Sequence, residues 1–588
     1  MEAFRRNRIE RTASKRWRGS VRRVIASSVY NLSCFTHGCS TGWVSGVLGN
    51  EALTGGAWLA ALPCLVALPA APMFAVLADV KGRKVGALCI GLSFIISWSL
   101  AAWCGARGVW VARVAAGAGG AGALALAPLY CAEIAPRTRG LAAMPALACS
   151  CGILFAYFAG GMLSAHALSL SMAVPPLLLL ISLLWLPETP SFLINAGKIQ
   201  EAAKVMCWFD GSDFREDLTD VIEQQEVRIR TSDYGRRDVM RYDSDTFQPM
   251  LKRGSGLEST SDKRSERSEK SACRELFRHR RSRRALFSCF VVIGAAAGSG
   301  AGAVNSFAAA VLRHSAHQIP VLNATAYNFS IYNGTLPRHL FETSEAGSML
   351  CGTALVLGAA VATITVDKVG RKTLLLWSCS GIAFCLAILG VYCDPHFQIN
   401  FYKHRLSYKK ITKDKSIRER IEIPENLTIY NDSLTNDTKA WYRIGLESNT
   451  TDDWKSVKFE HSIEKEDLSI WLPVILLSMV LFLYNIGLGS VPYVLISELF
   501  IVNVRSLASS FLITWMWLSN FLVLRYYGTI AFSLGLHATY YICSTITLLG
   551  AGYIYLTLPE TKGKSQSQIE DSLSGPWLIP LGRKKNER

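Results

Sequence analysis

The sequence predicts an all-α membrane protein of twelve transmembrane helices, arranged as two related six-helix halves. Three observations lead there: recurrent apolar runs of membrane-crossing length, basic clusters and glycosylation sequons that sort into alternate connections, and a set of charged motifs that occurs twice. Of the 588 residues, 50% are hydrophobic, and the mean hydropathy is +0.24 although several hundred residues are polar. The apolar residues are therefore concentrated. A helix rises about 1.5 Å per residue, so runs of about 20 residues cross a hydrocarbon layer of about 30 Å. Such runs occupy 24–49, 54–78, 86–104, 109–132, 141–161 and 165–186, and again 285–312, 347–366, 374–393, 470–490, 506–527 and 534–558.

These runs divide the chain into a basic start over 1–23, a first bundle over 24–186, a linker over 187–284, a second bundle over 285–558 and a tail over 559–588. The net charge of +17 raises the question of nucleic acid, and its distribution answers against it. The first 23 residues, 81–84, 137–139, 278–284, 368–372 and 583–585 all carry basic clusters. With twelve spans, every one of them falls on one side of the membrane, which the positive-inside rule makes the cytoplasm. Both termini are expected there, and no cleavable leader is expected because the basic start runs directly into the first span. The linker is expected to be polar and irregular around 254–271, with a short amphipathic helix on the bundle near 199–208.

N-x-[ST] sequons place the opposite face. Asn323, Asn328 and Asn333 fall in the connection 313–346, and Asn426, Asn431, Asn436 and Asn449 in the unusually long connection 394–469. Both are extracytoplasmic by parity, expected to be irregular, and glycosylated in a secretory pathway that ends at the plasma membrane. An eighth sequon, at Asn31, lies inside the first span and is expected to stay unmodified. Cys64, Cys89, Cys104, Cys149, Cys151, Cys289, Cys351, Cys379, Cys385 and Cys543 lie within spans without metal-ligand spacing. They read as small helix-packing residues.

The duplication shows in the polar punctuation. The first half has Asp79 with Gly82, Arg83 and Lys84, then Glu133 with Arg139, then Pro187, Glu188 and Thr189. The second has Asp367 with Gly370, Arg371 and Lys372, then Glu498 with Arg505, then Pro559, Glu560 and Thr561. Order matches throughout, and the intervals match once most of the loop 394–469 is set aside. Placed at cytoplasmic helix ends, Asp79, Arg83, Glu133, Arg139 and Glu188, and their repeats Asp367, Arg371, Glu498, Arg505 and Glu560, can bridge neighbouring helices and act as a cytoplasmic gate.

These residues resemble the motifs of the sugar porters of the major facilitator superfamily, and those of the insect trehalose and glucose transporters in particular. The stretch 79–84 resembles D-x-x-G-R-K. The stretch 128–140 resembles P-x-Y-x-x-E-x-A-P-x-x-x-R-G, with one residue fewer before Arg139. The stretch 187–198 resembles P-E-[ST]-P-R-[WF]-L-x-x-x-G-K, with Ser191 in place of the usual Arg, and 559–564 matches the terminal signature. The resemblance implies the major facilitator fold and a central sugar site. It points to Trp517 and Asn520 of a W-x-x-N-F pattern on the eleventh helix, Asn305 on the seventh, and Asn485 and Tyr493 on the tenth, where Trp is usual. The amide side chains usual near 297–300 and near Ala146 are missing. Proton-coupled members carry an Asp on the first helix near an Arg on the fourth. Ser40 stands at the Asp position, and no acid occurs over 24–49. Arg113 on the fourth helix is expected to pair with carbonyls or with acids such as Glu133, His37 to be a packed polar residue, and Arg525 to snorkel outward.

The reading is therefore facilitated diffusion of a sugar such as trehalose or glucose. Two other readings stay open: a sensor with little flux, and a carrier of a non-sugar organic solute. The expected partners are a small-molecule solute and the lipid bilayer. No cofactor, metal, nucleic-acid partner or catalytic constellation is expected.

Overall fold

Away from water, a backbone must satisfy its own hydrogen bonds, so each apolar run becomes helix. The computed structural model of the protein describes residues 2–47, 56–134, 144–210, 276–316, 338–394, 427–431, 442–446, 467–500, 502–564 and 566–574. The first half comprises α1 (Glu2–Val47), α2 (Gly56–Lys81), α3 (Arg83–Trp103), α4 (Gly105–Ile134), α5 (Met144–Met162), α6 (Ala165–Met172) and α7 (Val174–Ser182). Two short linker helices follow, α8 (Pro190–Asn195) and α9 (Ile199–Asp210). The second half comprises α10 (Arg280–Gly298), α11 (Ala301–Ala316), α12 (Arg338–Val369), α13 (Arg371–Tyr392), α14 (Asp467–Ile486), α15 (Val491–Leu499), α16 (Val502–Leu534) and α17 (Leu536–Thr557), with α18 (Gln566–Ser574) in the tail.

Among the described residues, ten helical stretches are long and apolar enough to cross a membrane. The other two expected spans correspond to the later part of α1 and to α17, which pack within the bundle against α5 and α13 respectively. Several boundaries differ from the sequence reading. The basic start is continuous with the first span as one helix of 46 residues. The tenth span does not end near 490: it breaks at Gly487–Ser490 and resumes as α15 to Leu499. The sixth breaks at Ala173, where Pro175 and Pro176 have no N–H to donate. The seventh breaks between α10 and α11, where Gly300 takes φ +75°. The long connection, expected to be irregular, holds one antiparallel pair, β1 (Leu427–Asn431) with β2 (Tyr442–Leu446), Leu427 facing Leu446.

Small residues set the closest approaches. A Cβ on Gly38 of α1 would lie 2.0 Å from the carbonyl oxygen of Cys149, and one on Gly152 of α5 would lie 2.0 Å from that of Phe35. Without lipid-excluded hydrophobic drive, such backbone-to-backbone packing is what holds membrane helices together. The halves meet through α2 with α16, α5 with α12, and α1 with α11. In span numbers these are two with eleven, five with eight, and one with seven. Advancing each by six exchanges the first two contacts and returns the third to itself, as a twofold relation between duplicated halves requires.

The linker helix α9 lies on α1: the Arg22 guanidinium donates to the Trp208 carbonyl at 3.0 Å and stands 5.3 Å from its ring centroid. In the tail, Ile569 and Leu573 are buried, and Arg284 of α10 donates to the carbonyls of Thr557, Ser572 and Leu573.

Candidate substrate cavity and the paired charge clusters

Between the halves lies a cavity of about 210 Å³, bounded by α1, α2, α4 and α5 on one side and by α10, α11, α12 and the α14–α16 segment on the other. All five side chains expected to meet a solute line it: Asn305, Asn485, Tyr493, Trp517 and Asn520. They reach it from three spans, two of them interrupted, and the interruptions place the cavity at irregular backbone. Ala146 and Ala297, in the stretches where the resemblance implies amides, line it as well.

The five differ in what they have free. Asn485 donates to Ser150 Oγ at 2.7 Å, across the two halves, and to the Leu355 carbonyl at 2.9 Å. Asn520 donates to the Met516 carbonyl at 3.0 Å, and the Tyr493 hydroxyl points to the Met516 sulfur at 3.2 Å. By contrast, Asn305 Oδ1 and Trp517 Nε1 are buried without a hydrogen-bond partner. One is an acceptor and the other a donor, the complement of a hydroxyl group. Buried polar atoms are normally satisfied, so each of these side chains keeps hydrogen-bonding capacity that the described contacts leave unused.

Ser150, Tyr157 and Met516 were not singled out from the sequence. Tyr157 donates its hydroxyl to the Asn305 carbonyl at 2.5 Å, a second polar tie between α5 and the other half. A lone hydroxyl in an apolar span carries no local pattern, so only the packing exposes such partners.

Arg113 lines the cavity and is buried. It donates to the Leu59 and Ser40 carbonyls, both at 2.9 Å, and to Ser40 Oγ at 2.8 Å. Of the two expected kinds of partner it has the carbonyls and not Glu133. No Asp or Glu lines the cavity among the described residues. His37 lines it as well, its ring 5.6 Å from that of Trp517 and nearly perpendicular to it.

Toward one end of the bundle, the cavity lining includes Pro128, Pro145, Ile496 and Leu512. That end carries the charged motifs. In the first half, Arg83 begins α3 and folds back: Nε and Nη2 donate to the two oxygens of Glu133 at 3.0 and 2.7 Å, Nη1 donates to the Ala78 carbonyl at 2.8 Å, and Asp79 stands at 3.3 Å. Glu188 accepts the backbone N–H groups of Arg83 at 3.0 Å and Lys84 at 3.1 Å. A carboxylate there satisfies orphan donors of the first turn and faces the positive end of the helix dipole.

The second half repeats this arrangement. Arg371 Nη2 donates to Glu498 at 2.9 Å and Nη1 to the Val366 carbonyl at 2.9 Å, and Glu560 accepts the N–H groups of Arg371 and Lys372 at 3.0 and 3.1 Å. Gly82 and Gly370 are required by this geometry. They adopt φ +100° and +110°, and an added Cβ would lie 2.5 Å from Glu188 Oε2 and 2.8 Å from Glu560 Oε2 respectively. The copies differ in how the acid is held: Thr561 donates to Glu498 Oε2 at 2.7 Å, whereas the hydroxyl of its counterpart Thr189 is buried without a partner. In the first half both Glu133 oxygens are taken by Arg83.

Each of these contacts stays within its own half. Arg139 and Asn323, Asn328, Asn333, Asn426, Asn436 and Asn449 lie outside the described residues, as do the side chains of Asp367, Arg505 and Asn431. Arg525, expected to snorkel outward, is partly buried, its guanidinium 4.9 Å from the ring centroid of Trp58 and 5.4 Å from that of Tyr526.

The family model described as "Sugar (and other) transporter" matches residues 24–400 and 463–573. The chain belongs to this family. Among its relatives is the bovine solute carrier family 2, facilitated glucose transporter member 8, 23% identical over 525 residues, covering 88% of this chain and 85% of the relative. Another is the facilitated trehalose transporter Tret1 of Apis mellifera ligustica, 22% identical over 540 residues, covering 91% and 80%. Among solved structures, the major facilitator superfamily proton:xylose symporter XylE bound to 6-bromo-6-deoxy-D-glucose superposes with a TM-score of 0.58 at 17% identity, covering 93% of this chain and 98% of the other. The inward-open conformation of the Escherichia coli xylose transporter XylE gives 0.57 at 16% identity, covering 93% and 99%. At such identity the likeness is one of fold. The family's fold is therefore that of this chain: a multi-pass, nearly all-helical membrane transporter, not an enzyme.

Proposed function

We propose that the protein is a facilitative transporter of a sugar such as trehalose or glucose, operating by alternating access of the cavity between its halves. The observation that carries this reading is a cavity between the halves lined by neutral polar and aromatic side chains, Asn305, Asn485, Tyr493, Trp517 and Asn520 among them. A neutral polyol offers a hydroxyl to each, and the indole and phenol rings offer flat apolar faces to a pyranose. The facilitated glucose and trehalose transporters among the relatives favour the same solute class.

Uniport rather than proton coupling follows from Arg113. Its acceptors are a hydroxyl and two backbone carbonyls, and among the described residues no carboxylate lines the cavity to carry a proton between faces. The basic and charged-motif end is the cytoplasmic one, both termini lie there, and the sequon-bearing loops face outward at the plasma membrane. The cavity in this structure extends toward the cytoplasmic end. The two charge clusters serve as the cytoplasmic gate by keeping the inner helix ends of each half together, so that the halves approach and separate as units.

The test is uptake and counterflow of labelled glucose and trehalose in proteoliposomes at two external pH values. Saturable uptake, accelerated exchange and no accumulation above equilibrium are expected. Absence of flux for both sugars, or strong stimulation by external acid, overturns the reading.

A further inference from the structure

Alternating access needs contacts that close the outer end while the inner end is open. The charge clusters cannot supply them, since they lie at the inner end and within single halves. At the opposite end, Trp58 sits in the first turn of α2, and Phe521 and Arg525 lie in the distal part of α16. These helices belong to different halves. The Trp58 and Phe521 ring centroids are 6.2 Å apart, and the Arg525 guanidinium stands 4.9 Å from the Trp58 centroid. Ala60 and Leu524, next to these groups in sequence, line the cavity. The cluster therefore stands just beyond the cavity's outer edge.

We propose that Arg525, Trp58 and Phe521 form the outer clasp of this transporter, a cation–π and aromatic contact that holds the halves together on the extracellular side and must part for solute to enter from outside. Tyr526, 5.4 Å from the guanidinium on the same helix, backs the cation without crossing between halves. Among the described residues no carboxylate pairs with Arg525. An aromatic clasp suits a site that must open repeatedly: the attraction of a cation to an indole face is modest, so the closed state is favoured without being locked. The clasp acts by shifting the population of inward- and outward-facing states and does not itself bind solute.

The inference rests on alternating access but not on the identity of the solute, and its test needs no solute. Cys64 and Cys149 line the cavity, so their modification by a membrane-impermeant maleimide, located by mass spectrometry, reports which face the cavity is open to. In right-side-out membranes, Trp58→Ala and Arg525→Gln are expected to raise the rate of modification from outside about threefold to tenfold. The rate from inside, read in inside-out vesicles, is expected to fall, and Tyr526→Ala to have a smaller effect than either. Unchanged rates from outside in both variants, or rates that move in the same direction from both faces, overturn the clasp. Modification in the wild type and in both variants that stays confined to one face at every exposure time overturns alternating access itself. Reduced flux with the opposed labelling shifts intact would count only against the choice of sugar and leaves the clasp supported.

Discussion

Removal of Glu133 separates a structural staple from a decorative surface charge. Arg83 makes one contact to each of two acids that differ in environment. Its contact to Glu133 is bidentate, and that side chain is 12% exposed, whereas Asp79 stands at 3.3 Å and is 61% exposed. Breaking a buried pair strands the remaining charge, at about 3–5 kcal/mol. Arg83 would keep Asp79 and the Ala78 carbonyl, so the cost of Glu133→Ala falls toward the lower end, about 2–3 kcal/mol. An exposed partner contributes less than about 1 kcal/mol, which bounds Asp79→Ala. Unfolding of a membrane protein in detergent is irreversible, so the measurable quantity is a half-life at fixed temperature. Followed by size-exclusion of the heated, purified protein, Glu133→Ala shortens that half-life by about tenfold or more, and Asp79→Ala by less than about fivefold. Glu133→Gln, which keeps an acceptor, falls between. Equal effects of Asp79→Ala and Glu133→Ala would refute the assignment of Glu133 as the principal partner.

Trp517→Phe keeps the apolar face and removes only the unpaired N–H; one lost hydrogen bond of about 1 kcal/mol raises half-saturation for the transported sugar about fivefold in zero-trans uptake, and no change would remove Trp517 from the contact set. Gly82→Ala and Gly370→Ala each force a side chain into a left-handed backbone and against a carboxylate, at about 1–3 kcal/mol from backbone strain alone, so both lower the yield of folded protein in fluorescence-detected chromatography; normal yield from either argues against the tight turn. Wild-type uptake differs less than about twofold between external pH 5.5 and 7.5, because among the described residues no carboxylate lines the cavity beside Arg113, whereas Ser40→Asp places one there and makes uptake respond to acid. Mapping of glycans by substituting Asn323 and Asn426 with Gln shows both loops on the outer face; attachment to only one of them breaks the topology.

Much of the site was readable before any coordinates. A lone amide in an apolar span is expensive, so Asn305, Asn485 and Asn520 stand out, and all three face one cavity. Gly82 and Gly370 were readable because the same turn occurs twice, which chance does not favour. What could not be read is who pairs with whom. Ser150 with Asn485, and Tyr157 with the Asn305 carbonyl, join residues far apart in sequence, and nothing local distinguishes those hydroxyls from others on the same helices. The charge clusters show the same limit: the acids and arginines were evident, but their confinement to single halves was not. Arg525 looks like a surface cation in sequence and becomes an interhelical contact only because α2 brings Trp58 against it.

By itself the sequence determined the helical membrane architecture, the duplication and the chemical inventory of the cavity, because hydropathy and turn chemistry act over short stretches of chain. Only the tertiary structure decided where the spans break, which side chains line the cavity, and that a contact between halves at the end away from the charged motifs is aromatic and cationic while the described ion pairs staple each half. Those outcomes depend on the rotation and depth of each helix against its neighbours. Such settings follow from packing summed over many weak contacts, and no single stretch of sequence encodes them.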